Sequence, residues 1–329
     1  MRAKKERAAI PATMKAAAID RFGPPSVLKV HTLRVPVPGP REVLVALHSA
    51  GVGVWDASIR DGSWRPAGPP KFPLVPGTDG AGIVVAKGAR VRRFRIGERV
   101  YAYDYANPKG GFYAEYAAVD ANHAGRVPRR LDLLPAGATV TTGLTALQGV
   151  DDTLNLRRGE TILIFGASGA VGTLAVQFAK RRRARVLATA SGSDAAALVK
   201  RLGADAVIDA RRSDATEKLK AVAPKGIDAA LVLASNEKLE ECLSLVRPGG
   251  RVAYPNGVDP EPRRRPKIRL FAYDAAVGSR EFTRLERAVV EAKLLVPIAA
   301  TYSLAQAANA HARLARGHIL GRILLRIRE

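Results

Sequence analysis

The feature that most constrains the fold of this chain is an apolar run that leads directly into a glycine-rich turn and then into a helical pattern. Residues 161–165 (TILIF) are almost entirely apolar, which is typical of a strand buried on both faces. After the turn, apolar residues recur at helical spacing at Val171, Leu174, Ala175 and Phe178. The segment is therefore predicted to form a strand, a tight turn and an amphipathic helix.

The turn itself, GASGAVG at residues 166–172, has the composition of a dinucleotide-binding loop. Glycines allow a tight turn and a close approach to a pyrophosphate, and the start of the following helix offers free N–H groups and a partial positive charge. An ordinary glycine-rich turn between a strand and a helix is the alternative. The predicted cofactor contacts in this loop are Gly166, Ala167, Ser168, Gly169, Ala170 and Val171.

Strand-like and helix-like patterns alternate along the chain after residue 161. Strand patterns are found at residues 185–190, 205–208, 228–233 and 251–254, and helical patterns at 194–202 and 237–246. This alternation predicts an α/β fold with a doubly wound parallel sheet of the Rossmann type. Ligands of such sheets sit beyond the carboxyl ends of the strands. The strand-end residues Ala234, Ser235, Asn256 and Gly257 are therefore also predicted to contact the cofactor.

The end of the second strand in this unit indicates which nicotinamide cofactor to expect. Enzymes that use NAD place Asp or Glu there, against the ribose 2′-hydroxyl, whereas this strand ends at Ser191. Ser191 and Ser193, with the basic Lys200 or Arg201, could receive a 2′-phosphate. NADPH is therefore the predicted cofactor. The objection is Asp194, which a small shift in alignment would bring to the ribose.

The N-terminal part of the chain follows a different pattern. Short β-rich runs at residues 42–47, 82–86, 99–103 and 113–119 alternate with glycine and proline, which predicts a small antiparallel, barrel-like domain. Residues 1–13 are predicted to form a disordered leader, because the first strand pattern begins at Met14. The 329 residues suffice for two cores, since single cores stop growing at about 250–300 residues.

Charge and composition limit the classes of function. The net charge of +23 raises the question of nucleic-acid binding. The basic residues form scattered short groups without interleaved aromatic residues or a binding motif, so no dedicated nucleic-acid partner is expected. There is no signal-peptide pattern and no apolar run near the ~20 residues of a membrane span, so a cytoplasmic protein is expected. The single cysteine, Cys242, is expected to be a buried structural thiol.

Several segments occur in an order and spacing that identify a superfamily. They are MKA at 14–16, FPLVPGTDGAG at 72–82, FRIGERV at 94–100, GFYAEY at 111–116, GLTA at 143–146, LGAD at 202–205, RPGGRV at 247–252 and GHILGRI at 317–323. Together with the glycine-rich turn, they resemble the medium-chain dehydrogenase/reductase superfamily, and within it the zinc-free quinone oxidoreductase branch.

The resemblance implies a division of the chain into two domains. A Rossmann domain is expected at residues 136–284, and a GroES-like, β-rich catalytic domain at residues 14–135 and 285–329, with the active site in the cleft beside the Rossmann domain. The resemblance also implies a small-molecule quinone or enone substrate and a homodimer or homotetramer.

Zinc-dependent members of the superfamily supply a cysteine, a histidine and a second cysteine to a catalytic metal. The matching positions here are Gly53, Thr78, and Thr142 or a neighbour, so no metal is expected to take part. Quinone reductase relatives commonly carry Asn-Pro before the aspartate matched by Asp56, and here Gly53 and Val54 stand in their place. The lost amide leaves the nature of the acceptor open.

Without a metal to polarise a carbonyl, hydride transfer to an already electrophilic quinone or enone needs only orientation, a hydrogen-bond donor and a proton. The predicted catalytic residues are Tyr105 and Thr142 as donors and Asp56 as an orienting group, with Tyr101 and Tyr103 as further donor candidates. Alternatively, the tyrosines form one core face of a strand and Asp56 caps a helix. The alternative functions are an enoyl or alkenal reductase on the same scaffold, or a non-catalytic NADPH- or RNA-binding protein.

Overall fold

The computed structural model describes residues 9–65, 69–105 and 107–328. Its strands are β1 (Thr13–Ala18), β2 (Lys29–Arg34), β3 (Glu42–Val52), β4 (Asp79–Lys87), β5 (Arg99–Tyr103), β6 (Tyr116–Asp120), β7 (Ala124–Arg126), β8 (Thr161–Phe165), β9 (Arg185–Thr189), β10 (Ala206–Ile208), β11 (Ile227–Val232), β12 (Val246–Pro255), β13 (Arg269–Tyr273), β14 (Ile298–Ser303) and β15 (Arg322–Arg326). Its α-helices are α1 (Val54–Asp61), α2 (Leu133–Gly137), α3 (Val140–Gln148), α4 (Ala170–Arg181), α5 (Ser193–Arg201), α6 (Ala215–Val222), α7 (Leu239–Leu243), α8 (Ser279–Glu291) and α9 (Ala307–Ala315). Of the predicted disordered leader, residues 1–8 lie outside the described residues, and Thr13 begins β1.

Six strands form a parallel sheet in the order β10-β9-β8-β11-β12-β13. Renumbered from the first strand of the unit, this is the order 3-2-1-4-5-6 of a Rossmann sheet. The predicted doubly wound parallel sheet is therefore confirmed. The order in which strands are added to the sheet reverses between β8 and β11, and ligands of such sheets bind at that point, beyond the carboxyl ends of the strands.

Seven strands form a second sheet, in which β3 pairs with β4, β6 and β15. The GroES-like architecture is confirmed, but the pairing is not wholly antiparallel, because β14 and β15 run parallel. The second sheet is therefore built from both ends of the chain, since these two C-terminal strands join the N-terminal strands through the pairing of β15 with β3. The predicted boundary between residues 284 and 285 falls inside α8, and we propose that the boundary lies after this helix.

The parallel sheet has an apolar cluster on each of its faces. Ile162 and Ile164 face one cluster together with α3 and α4, whereas Leu163 and Phe165 face another, on the opposite side of the sheet. Burial on both faces explains why this strand is a continuous apolar run, since successive side chains point to opposite faces. Cys242 is buried in the second cluster, where burial raises the pKa of its thiol to about 11.

Two predicted elements differ from the observed ones. The helix expected at residues 237–246 ends at Leu243, because the chain turns back there and Val246 pairs with Ile227 at the start of β12. Strand β13 was not predicted, since it lies at the sheet edge with its side chains only half buried or exposed and so lacks a strong apolar pattern. Throughout residues 9–65, 69–105 and 107–328, every helix is too short or too polar to traverse a lipid bilayer.

Candidate functional site

A cleft of about 720 Å³ lies between the two sheets, and both of them contribute to its lining. Nine of the predicted site residues line this cleft: Asp56, Tyr105, Thr142, Gly166, Gly169, Ala170, Val171, Asn256 and Gly257. The other five, Ala167, Ser168, Ser191, Ala234 and Ser235, lie beside it and not in its lining. The structure therefore brings residues from both predicted domains to one place.

The glycine-rich loop joins β8 to α4 at one end of the cleft. Gly166 has a positive φ of 86°, and its N–H donates to Thr189 Oγ1 at 2.8 Å. A Cβ on Gly172 would clash with the backbone of Gly166 and Ala167. Gly169 differs, since a Cβ there would meet only Gly166 O, at 3.6 Å. Gly166 and Gly172 are therefore required by the turn itself, whereas Gly169 leaves its space free for a ligand.

The residues around this loop fit a dinucleotide. Gly169 is the N-cap of α4, a helix of 12 residues, so its free N–H groups and the positive end of its dipole face the cleft. Ala234 lies against Gly166, and the hydroxyl of the next residue, Ser235, is buried with no hydrogen-bond partner among the described residues. A buried hydroxyl without a partner is costly and indicates a place where a ligand would bond. Thr189, which holds Gly166, was not predicted from sequence.

A carboxylate lies beside Ser191, the residue that was predicted to receive a 2′-phosphate. Ser191 donates through Oγ to Asp209 Oδ1 at 3.1 Å, and Asp209 also accepts from the backbone N–H of Gly192 and of Arg211. Asp209 follows β10, not β9, so reading the end of the second strand alone misses it. Asp194, which was the objection to NADPH, pairs instead with His318 at 3.1 Å.

Asp56 is fully buried at the floor of the cleft. It accepts from the N–H of Gly53 at 2.7 Å and from the N–H of Thr78 at 2.9 Å. The first bond caps α1, as the alternative interpretation expected, and the second ties the helix to the segment before β4. Burial favours the neutral acid and outweighs the ionised Arg322 and the two amide donors, so the pKa of Asp56 rises to about 6.

A buried polar network lies behind Asp56. Arg60 Nη1 is 3.2 Å from His311 Nδ1, and Tyr113 OH is 3.1 Å from His311 Nε2. Since a guanidinium can only donate, Nδ1 accepts and the proton of this imidazole is on Nε2. Burial and Arg60 lower the pKa of His311 to about 3, which keeps it neutral. Asp56 is among the groups that raise the pKa of Tyr113, so this network reaches the floor of the cleft.

The two threonines at the start of α3 have different bonding. Thr142 donates its hydroxyl proton to Ala138 O at 2.6 Å, so in this arrangement it has no proton to offer to a substrate. Thr141 also lines the cleft, and its buried hydroxyl has no partner among the described residues. Thr141 is therefore a better donor candidate than the predicted Thr142, and no sequence pattern distinguishes the two neighbours.

Aromatic side chains form one wall of the cleft. Trp55 and Trp64 are in edge-to-face contact with ring centroids 6.3 Å apart, and Trp64 contacts Tyr105 at 5.5 Å. Tyr105 is 53% exposed and also contacts Tyr103 at 6.1 Å. The chain has only two tryptophans, and both lie here. Such a wall suits a flat, apolar ligand.

Tyr101, the third tyrosine of this alternating series, has a different environment. It is fully buried against Phe282 in the core of the molecule, with ring centroids 5.7 Å apart, and does not line the cleft. Tyr101 and Tyr103 are two residues apart and therefore share one face of β5. Tyr101 is covered by Phe282 on this face, whereas Tyr103, at the end of the strand, lines the cleft. The core interpretation of the tyrosine pattern therefore fits Tyr101.

A zinc ion does not fit the residues that face the cleft. The three matching positions carry no thiol and no imidazole, since they are Gly53, Thr78 and Thr142. Among residues 9–65, 69–105 and 107–328, no three His, Cys, Asp or Glu side chains are grouped so that they could hold a metal. The guanidinium of Arg322 instead lies beside Gly53, with Nη1 3.1 Å from where a Cβ would be. A fixed positive charge at this place opposes a second cation.

Comparison with known proteins places the chain among related dehydrogenases. Residues 39–129 match the model described as alcohol dehydrogenase GroES-like domain, and residues 170–267 match the model described as zinc-binding dehydrogenase. The quinone oxidoreductase of Mus musculus is 30% identical over 318 residues, which are 92% of this chain and 95% of the mouse protein.

Solved structures are similar over the same length. An NAD-dependent alcohol dehydrogenase has a TM-score of 0.85 and 30% identity, with 96% of this chain and 100% of that chain covered. A mycobacterial protein complexed with NADPH has a TM-score of 0.83 and 26% identity, with 95% and 100% covered. The similarities therefore include both sheets and the segments that line the cleft.

Proposed function

Because the chain belongs to the medium-chain dehydrogenase/reductase superfamily and is an oxidoreductase of the quinone reductase type, we propose that it reduces quinones and other α,β-unsaturated carbonyl compounds with NADPH and without zinc. The observation that carries this proposal is the single cleft that runs from the glycine-rich loop to the aromatic wall. A dinucleotide bound at the loop and a flat acceptor against the wall would lie next to each other there.

When bound, the reduced dinucleotide supplies a hydride, and one proton, drawn in the end from solvent, completes a two-electron reduction of the acceptor. The residues of this chain orient the two partners. The N-terminus of α4 and the free space at Gly169 receive the pyrophosphate, with Ser235 as a further donor. Trp55 and Trp64 hold the acceptor ring by stacking and edge contacts.

Asp56 is the group in the cleft best suited to move a proton. Its pKa of about 6 means that it exchanges its proton close to neutral pH, which is the range in which a general acid or base works best. Thr141 offers an unpartnered hydroxyl in the same cleft. The predicted donor Tyr105 lies at the exposed edge of the wall, and we assign it to acceptor binding.

NADPH is supported by Ser191 and by the cationic Arg211, whose guanidinium lies at the same end of the sheet, and by the similarity to a protein solved with NADPH. NADH is the second candidate, because the Asp209 carboxylate beside Ser191 is the kind of group that bonds an unphosphorylated ribose and repels a 2′-phosphate. Arg211 already neutralises part of that charge, and for this reason we favour NADPH.

The proposal is tested by steady-state oxidation of NADPH and, separately, NADH by chelator-treated protein. The acceptors are phenanthrenequinone, benzoquinone and an alkenal. We expect turnover with quinones, the fused-ring quinone being the best acceptor, and a preference for NADPH. Faster turnover of the alkenal would instead identify an enal reductase. Dinucleotide binding without turnover of any acceptor would contradict the proposal and leave the non-catalytic alternative.

The expectations from the sequence about assembly and location are kept here as proposals. We propose a homodimer or homotetramer, and the edge strand β13, which in the described sheet pairs only with β12, is a surface through which copies could associate. Light scattering of the purified protein tests this. A cytoplasmic location and the lack of a dedicated nucleic-acid partner remain predictions, tested by fractionation and by gel-shift assays at physiological salt.

A further inference from the structure

We propose that Arg322 is a catalytic electrophile of this enzyme, whose guanidinium donates to the acceptor oxygen that becomes negatively charged during reduction. This inference rests on the proposed function and adds a residue to it. It gives Arg322 the task that the metal performs in zinc-dependent members of the superfamily. Four observations carry it: the anchoring of the side chain, the room made for it, its unused donors and its position in the cleft.

The guanidinium is anchored by a buried carboxylate. Arg322 begins β15, and its Nη2 donates to Asp79 Oδ1 at 3.0 Å. Asp79 is fully buried at the start of β4, and its other oxygen accepts from the N–H of Thr141 at 3.0 Å. Both oxygens of the carboxylate are therefore used, and the guanidinium is fixed at the floor of the cleft. Fixed donors are effective in catalysis because they need no reorganisation as charge develops.

Two glycines, one in β3 and one just after it, leave room for the guanidinium. A Cβ on Gly51 would clash with both Asp79 and Arg322, and a Cβ on Gly53 would lie 3.1 Å from Arg322 Nη1. Neither glycine has a positive φ, so the backbone conformation does not require glycine at either position. Glycine is required because the guanidinium occupies the space that a side chain would need. Gly53 is also where the sequence lacks the amide side chain common among its relatives, so Arg322 fills the region that this side chain would have reached.

Part of the hydrogen-bonding capacity of Arg322 is unused. The side chain lines the cleft although it is only 8% exposed, and its Nε is buried with no partner among the described residues. Burying a cation without satisfying its donors is costly. Nε lies on the side of Gly51 and Asp79, whereas Nη1 lies beside Gly53 and makes none of the hydrogen bonds described for this side chain. Nη1 is therefore the donor that an anionic or carbonyl oxygen bound in the cleft would meet. The neighbouring hydroxyl of Thr141 is also without a partner, so two donors are available on the same floor.

The reduction creates the charge that such donors stabilise. In an α,β-unsaturated carbonyl compound the hydride forms a C–H bond at the β-carbon, the conjugated π bond breaks, and the electron pair ends on the carbonyl oxygen as an enolate. In a quinone the hydride forms an O–H bond at one carbonyl oxygen, and the electron pair ends on the other oxygen as a phenolate. Either anion then takes one proton from water or from Asp56. The dinucleotide is oxidised by two electrons and the acceptor is reduced by two. A guanidinium beside this oxygen stabilises the product side of the step more than the neutral acceptor, which is the condition for catalysis.

The competing assignment for Arg322 is the pyrophosphate of the dinucleotide. The backbone of the preceding residue does lie against the glycine-rich loop, because Gly321 N donates to Ser168 O at 2.9 Å. The side chain, however, is directed toward Asp79, Gly51 and Gly53, on the GroES-like side of the cleft. This direction favours the acceptor over the pyrophosphate.

The test compares Arg322→Gln with the wild-type protein and with Arg326→Gln, an exposed arginine on the same strand. A double variant, Arg322→Met with Asp79→Asn, removes both charges together. It controls for the destabilisation that an unpaired, buried Asp79 carboxylate would cause in the single variant. For each protein, kcat/KM is measured with phenanthrenequinone, and the Kd of the dinucleotide is measured by calorimetry. A third readout needs no turnover: the absorbance of 4-nitrophenol bound in the presence of oxidised dinucleotide, which reports whether the site favours the phenolate.

We expect both Arg322 variants to lose about 10²–10³ in kcat/KM, with a dinucleotide Kd changed by less than about threefold and without the phenolate signal of the wild type. Arg326→Gln should match the wild type in all three readouts. Unchanged kcat/KM in folded Arg322 variants would overturn the inference and leave the proposed function intact. A loss explained by an equal weakening of dinucleotide binding would also overturn it, in favour of the pyrophosphate. If the wild type reduced no acceptor, the proposed function would fail, and the nitrophenolate signal would decide the role of Arg322.

Discussion

The two ends of the cleft are built in different ways. The end that we propose for the dinucleotide is made of backbone: the loop 166–172 supplies N–H groups, and Gly169 leaves space free for a ligand. The end that we propose for the acceptor is made of side chains that converge from α1, β4, α3 and β15, namely Asp56, Asp79, Thr141 and Arg322. A backbone site is contained in consecutive residues, whereas a side-chain site exists only after distant segments have packed together.

Glycines also have different tasks at the two ends. Gly169 keeps open a space that only a ligand fills, since an added Cβ would touch the protein at no less than 3.6 Å. At Gly51 and Gly53 the space that a side chain would need is filled by another part of the protein, the guanidinium of Arg322. The same residue type thus indicates ligand binding in one place and internal packing in the other. Mutations at the two ends should consequently fail in different ways.

The largest expected effect is at Gly169. Gly169→Val should weaken dinucleotide binding by at least about 100-fold, because a branched side chain would displace the pyrophosphate from several charge-assisted hydrogen bonds. The free energy of unfolding should stay near that of the wild type. Calorimetry for binding and urea unfolding for stability check the two statements.

The matched comparison for this prediction is Gly172→Ala in the same loop. Its Cβ would clash with the backbone of Gly166 and Ala167, so it should lower the free energy of unfolding by about 1–3 kcal/mol. Unchanged affinity in a folded Gly169→Val protein would show that the dinucleotide is bound elsewhere.

The second prediction concerns Asp56 and pH. If the protonated carboxyl gives a proton to the reduced acceptor, kcat should fall as pH rises through about 6, the pKa of Asp56. Asp56→Asn should lower kcat and remove this ionisation from the profile, which a series of rate measurements across pH 6 detects. Asp61→Asn, on the exposed end of the same helix, should keep the wild-type profile.

The same carboxyl links stability to pH. Because the folded-state pKa of about 6 lies above the ordinary value of 3.8, the folded state binds a proton more tightly than the unfolded state does. Its contribution to stability is therefore present below the ordinary pKa and is lost as pH rises through 6, by about 3 kcal/mol in total. Asp56→Asn should remove this slope in urea unfolding, and an unchanged slope would show that another group causes it.

The third prediction tests the aromatic wall. Trp64→Ala removes the ring that contacts both Trp55 and Tyr105. We expect kcat/KM to fall about tenfold for phenanthrenequinone, and by less for benzoquinone, whose single ring covers less of the wall. Tyr116→Ala, an aromatic residue outside the cleft that stacks on Arg328, should change neither. Equal losses for both quinones in Trp64→Ala would argue against a wall that recognises ring size.

The smallest expected effect is at the ribose end. Asp209→Asn removes the carboxylate beside Ser191 and should shift the ratio of kcat/KM values toward NADPH by about fivefold, the size expected for a half-exposed charge. Asp214→Asn, a carboxylate five residues further on that pairs with Arg212 and Lys218, should leave the ratio unchanged. A shift toward NADH in Asp209→Asn would show that Asp209 orients groups that bind the 2′-phosphate.

Sequence and structure contributed unequally to the two ends of the cleft. The dinucleotide loop, the parallel sheet and the GroES-like part follow from local patterns, because a buried strand, a glycine turn and a helix each leave a periodic signal. At the proposed acceptor end, Asp56 and Thr142 were predicted from the sequence and both line the cleft. The unpartnered hydroxyl belongs to the neighbouring Thr141, and Arg322 was not singled out. Adjacent threonines give the same local signal, and only the rotation of α3 distinguishes them.

The sequence by itself determined the architecture, the location of the dinucleotide loop and the absence of thiol and imidazole ligands at Gly53 and Thr78. The tertiary structure alone decided that Asp209 reaches Ser191 and that Arg322, 243 positions from Asp79 in the chain, forms a buried pair with it. The physical reason is the distance along the chain over which each kind of interaction acts. Hydrophobic periodicity and turn chemistry act between near neighbours in the chain, whereas a buried ion pair and the space left by a missing side chain arise only when strands from opposite ends of the chain lie side by side.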